Sequence, residues 1–108
     1  MPISTSARIV ITSAPDEASA DALARALVTE KLAACVTRLP GARSTYWWNN
    51  TIEEAPEVVC FIKTQADRVD ALLVRLRELH PYEVPEGLVL AVEGGLPDYL
   101  AWLSTTTR

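Results

Sequence analysis

Residues 80–86, His80-Pro81-Tyr82-Glu83-Val84-Pro85-Glu86, gather the only histidine of the chain, a tyrosine and two carboxylates into one short stretch. Imidazole and carboxylate are ligands for divalent metals, and two carboxylates can share acid/base work when their surroundings split their pKa values. Pro81 disfavours helical backbone at His80 and Pro85 pushes Val84 into an extended conformation, so the Tyr82-Glu83 step between them has few conformations left to lose. The structural reading of the same residues is a rigid helix-to-strand turn in which His80 interacts favourably with the dipole of the preceding helix. One histidine with no second His or Cys close by in sequence is not a metal signature on its own.

Catalysis finds little else to use. No Ser or Cys is set beside the histidine by a motif, and there is no Gly-rich phosphate loop or organic cofactor signature, so the chain reads as a binding protein and not an enzyme. Lys63 ends an apolar run and reads first as a lysine snorkelling from a strand end. The Glu53-Glu54-Glu57 group reads as a solvated strand face.

The 108 residues predict one domain spanning 1–108, and 49% hydrophobic residues predict that it is globular. A net charge of −4 with well-mixed signs gives no footprint for nucleic acid or an anionic membrane, which leaves small ligands, metal cations or further copies of the chain as partners. The start, Met1-Pro2-Ile3-Ser4-Thr5, has no cationic region followed by an apolar run, and no segment approaches membrane-span length, so a cytoplasmic location is expected. Cys35 and Cys60 lie in apolar surroundings, as reduced thiols do.

The elements that must position these residues follow from period and punctuation. Residues 7–13 are a β-branched run ended by Ala14-Pro15-Asp16. A helix follows to about Lys31 with Ala22, Leu23, Ala26, Leu27 and Val28 as its apolar stripe. A strand begins at Ala34 and is interrupted by Pro40-Gly41, the mark of a bulge or bend at an edge, then resumes over residues 44–48. Asn49-Asn50, both tolerant of positive φ, predict a tight hairpin turn into residues 51–64, whose last seven are apolar on both faces and should cross the middle of a sheet. A two-residue turn would set Cys60 opposite Leu39 and Cys35 opposite Thr64, too far apart for a disulfide. Thr64-Gln65-Ala66-Asp67 has capping-box spacing, with Asp standing in for Glu, and predicts the start of a helix ending at Leu79. Residues 87–92 read as the last strand and 97–103 as a short terminal helix. The βαββαβ order is the ferredoxin-like split βαβ plan in the α+β class, with an extended β2-β3 hairpin, an added C-terminal helix and one sheet face left uncovered by this chain.

Glu30-Lys31-Leu32-Ala33-Ala34-Cys35-Val36, Pro40-Gly41, Ser44 with Tyr46 and Trp48, Ile52-Glu53, Lys63-Thr64, the residue 80–86 loop and Tyr99-Leu100-Ala101-Trp102 together resemble the CutA divalent-cation tolerance family. The resemblance runs over essentially the whole chain. It implies a ferredoxin-like homotrimer linked to tolerance of copper and other divalent cations, and an architecture similar to the PII signalling trimers, which bind small ligands between subunits. Two positions depart from the pattern: Asn50 stands where the family often has Gly, and Thr12-Ser13 stand where some members carry a cysteine, so no metal site using that sulfur carries over. On the first implication, His80, Glu83, Glu86 and Cys35 are the candidate ligands for copper or zinc. On the alternative, a PII-like sensor or scaffold, Lys63, Tyr82 and Glu83 would line an intersubunit cleft for a small anion.

Assembly is expected on physical grounds too. Fifteen residues from Ala34 to Trp48 span roughly 50 Å when extended, against a radius of gyration of roughly 13 Å for a compact chain of this size. The hairpin must therefore bend or overhang. Its tip carries Tyr46, Trp47, Trp48 and Ile52, and adjacent Trp47 and Trp48 point to opposite faces, so one monomer cannot readily bury both. A closed ring of three copies would cover this tip and the open sheet face.

Overall fold

The alternating apolar residues of two strands decide where the core forms. In a computed structural model, which describes residues 5–108, strand β1 (Ala7–Ala14) turns Val10 and Ala14 to one side. Strand β3 (Thr51–Gln65) turns Val58, Cys60 and Ile62 to the same side. The reading of the chain start rests on residues 1–4, which lie outside the described residues. Two helices, α1 (Glu17–Thr29) and α2 (Val69–Leu79), lay Ala20, Leu23, Leu27, Leu72 and Leu76 over those positions. Each fully buried Leu or Ile contributes about 1.5–3 kcal/mol relative to exposure. Small side chains at Ala20 and Ala24, both buried, let α1 lie close to the sheet.

Strand β2 (Cys35–Trp48) and the short β4 (Leu88–Ala91) complete a sheet of order β2-β3-β1-β4 in which every neighbouring pair is antiparallel. This is the ferredoxin-like βαββαβ plan expected from the sequence. A third helix, α3 (Pro97–Thr106), runs further than its sequence signal and packs Leu100 and Leu103 against Ala7, Ala34 and Val92 at one end. The molecule measures 44 × 32 × 24 Å, its length set by the hairpin.

Local chemistry explains most element ends. Asp16, extended at φ −154, accepts the Ser19 N–H at 2.7 Å and caps α1, and that backbone donor holds its carboxyl below the usual range. Asn49 and Asn50 take φ of 49 and 61, both left-handed, which is the backbone of a two-residue hairpin turn matched to strand twist. Gly41, at φ 87, sits in a bulge between Leu39 and Ala42.

The bulge changes the register. It places Cys60 opposite Arg38 and Cys35 opposite Lys63, not Leu39 and Thr64. One extra residue in β2 moves the pairing by one, and with side chains alternating at period two the thiols end on opposite faces, free and unbridged. The expected capping box also fails. Thr64 and Gln65 stay in β3, the buried Thr64 hydroxyl donates to the Leu32 carbonyl at 2.6 Å, and a single 3-10 turn, Ala66–Arg68, leads into α2 without a side-chain cap. A hydroxyl turned into the protein to satisfy one carbonyl cannot cap a helix as well.

Both crossovers pass on one side of the sheet, which leaves the other side open. Ile9, Ile11, Val59 and Phe61 line that face and are half-buried, while Leu88 and Leu90 beside them are 59% and 47% exposed.

Candidate functional site

The end of α2 is tied down by the histidine. His80 is the C-cap residue, its backbone extended (φ −75, ψ 134) as the following proline requires. The Ser13 carbonyl can only accept, so His80 Nε2 donates to it at 2.8 Å, while Nδ1 accepts the Tyr82 N–H at 3.1 Å. These partners assign the neutral Nε2–H tautomer. The ring is buried and tilted 49° against Tyr82 at 4.8 Å between centroids. It therefore acts as a staple from the loop to the end of β1, through hydrogen bonds and not through the helix dipole. Metal ligation at Nδ1 would require release of the Tyr82 N–H.

The staple aims Tyr82 at β3. Its hydroxyl donates to Glu57 Oε2 at 2.6 Å, and burial, then this bond to a carboxylate, pushes the phenol well above its ordinary value of 10. Glu57, read from sequence as part of a solvated strand face, is buried. Its parity with Val59 and Phe61 puts it on the open face, so no local pattern announced its burial, and the Tyr82 partner, 25 positions away, was not visible. Next to them lies a cavity of about 530 Å³. Tyr82, Glu83 and Glu86 reach it from the loop, and Tyr46, Trp47 and Trp48 from the hairpin, with Glu57 and Ser13 between. Burial, then the nearby Glu57, raises the Glu86 carboxyl above its ordinary 4.5.

Within one chain Lys63 lies apart from this cavity. It lies six residues from Glu57 along β3, roughly 20 Å at strand rise. Its ammonium donates to Thr37 Oγ1 at 2.6 Å and lies 3.8 Å from Cys35 Sγ. A single chain thus brings Tyr82 and Glu83 together but not Lys63, because the loop after α2 returns to the opposite end of the antiparallel sheet. Cys35 is separated from His80, Glu83 and Glu86 for the same reason. Among the described residues no group of three or more His, Cys, Asp or Glu could hold a metal ion, so the four candidate ligands do not form one coordination sphere within a protomer.

The hairpin tip divides by face. Trp47 pairs with Ile52, and these two are 71% and 59% exposed, while Tyr46 and Trp48, on the other face, are less so. None of the described helices is long and apolar enough to cross a membrane.

Comparison with known proteins places these features in a family. The profile of the CutA1 divalent ion tolerance proteins matches residues 8–106. A divalent-cation tolerance protein CutA from Pectobacterium atrosepticum is 48% identical over 100 residues, which cover 93% of this chain and 91% of the relative. The crystal structure of CutA from Xylella fastidiosa superposes with a TM-score of 0.94 at 45% identity, covering 96% of this chain and 100% of that one. CutA1 from Oryza sativa gives 0.93 at 36% identity, covering 99% and 98%.

Proposed function

This chain belongs to the CutA1 divalent ion tolerance protein family, and from that membership we propose that it serves divalent-cation tolerance, copper included, as a cytoplasmic homotrimer that binds metal and does not catalyse a reaction. The match over residues 8–106 carries the reading. The open sheet face supports assembly: Leu88 and Leu90 stand exposed beside the half-buried Phe61, and Tyr46 and Trp48, whose β3 partners Glu53 and Thr51 share the parity of Phe61, extend that face along the hairpin. Trp47 and Ile52 stand exposed on the other face of the hairpin.

Since one protomer lacks a complete donor set, copper or zinc would draw ligands from more than one copy. Glu83 and Glu86 are the accessible donors, Cys35 offers sulfur on the open face, and His80 joins once Nδ1 leaves the Tyr82 N–H. Titrating Cu²⁺ and Zn²⁺ calorimetrically into the wild type and into an open-face variant, Leu90→Asp, tests this. Stoichiometric binding by the assembled wild type, weakened in the dissociated variant, is expected. Equal binding by both would place the ligands within one chain, and absence of binding by the wild type would overturn the metal-binding reading.

A further inference from the structure

Glu57 is the one Asp, Glu, Lys or Arg side chain in the buried class among the described residues, at 8% exposure. The Tyr82 hydroxyl donates to its Oε2, and among the described residues no lysine or arginine pairs with it. A carboxylate largely withdrawn from water gains from a counter-charge, and none of the described side chains beside it supplies one. The adjoining cavity makes the imbalance larger. It adds Glu83 and Glu86 and no cationic side chain.

The opposite wall is aromatic. Tyr46, Trp47 and Trp48 line it, and ring faces attract cations, tryptophan most strongly. A bare divalent metal does not fit this arrangement, because hard cations need a compact shell of oxygen donors, no trio of ligands lies close enough, and indoles offer such an ion nothing. The volume of about 530 Å³ is that of a small organic ligand. We propose that this cavity binds a small organic cation, an alkylammonium or guanidinium of diamine size, with Glu57 and the loop carboxylates as counter-charge and Tyr46 and Trp48 against its face. The site shares Glu83 and Glu86 with the metal reading but needs neither Cys35 nor ligation by His80, so removing metal separates the two.

The test titrates the assembled protein with agmatine, putrescine and tetramethylammonium, EDTA being present throughout to remove metal. In a Trp102→Phe background the remaining indoles, Trp47 and Trp48, both line the cavity, so their fluorescence reports it. A saturable change with at least one probe is expected, and calorimetry on the unmodified chain should give one site per protomer. Glu57→Gln, which keeps an acceptor for Tyr82, should weaken binding at least tenfold. Should that variant not fold, Glu83→Gln at an exposed position should weaken it severalfold. No saturable binding of any probe at millimolar concentration, or affinity unchanged in the folded variant, overturns the proposal.

Discussion

The two faces of this sheet are made of the same kinds of residue and end in opposite situations. On one, Val10, Cys60 and Ile62 are sealed at 0–1% exposure under α1 and α2. On the other, Ile11 and Phe61 are only half-covered, and Leu88 and Leu90 stand out in water. Composition does not separate the faces. Topology does, because right-handed crossovers from β1 to β2 and from β3 to β4 put both long helices on one side. The lesson is that the sealed face supports the fold of a single copy, whereas the open face has an apolar surface that no described element of this chain buries.

The largest expected effect sharpens the first half of that contrast. Leu72→Ala removes a fully buried side chain from the sealed face and should cost about 2–5 kcal/mol in chemical denaturation at any protein concentration. On the open face Leu90→Asp should leave secondary structure intact by circular dichroism yet shift the mass measured by light scattering to a single copy. Destabilisation of the isolated copy as large as that of Leu72→Ala would break the contrast, since the open face would then support the monomer.

The hairpin that continues both faces depends on its turn. Asn50→Val forces a β-branched residue into left-handed backbone and should cost roughly 1–2 kcal/mol, read as a lower denaturation midpoint. The smallest effect concerns the cavity rim. Glu86 faces Glu57, with Glu83, Tyr82 and the His80 ring alongside, and its folded carboxyl is raised above 4.5. Its contribution is therefore full below about pH 4.5 and lost as pH rises through the raised folded value. Glu86→Gln should melt slightly higher than wild type at pH 7 and equal to it at pH 4. A variant less stable at pH 7 would mean that the Glu86 charge is compensated.

Much of the fold was legible because its punctuation is local. Pro40-Gly41 marked the bulge, Asn49-Asn50 the turn, and the apolar run before Lys63 the central strand. What failed was long-range. The bulge moved the Cys35 and Cys60 register by one, and Thr64 satisfied a carbonyl 32 positions away instead of capping a helix. At the site, the Tyr82 and Glu83 loop was visible as a rigid display, but the Glu57 partner and the aromatic wall were brought to it by the return of α2 to the Ser13 end of the sheet. That Lys63 lies at the other end of β3 from Tyr82 and Glu83 within one chain was hidden for the same reason: no local pattern tells which end of a strand a distant loop will reach.

The central claim, that the open face is completed by further copies of this chain, is tested most directly by sedimentation of the wild type across nanomolar to micromolar concentration. The account predicts a species of three copies that persists at micromolar protein and is replaced by a single copy in Leu90→Asp. A wild type that sediments as a monomer of 11.8 kDa at micromolar concentration would contradict it.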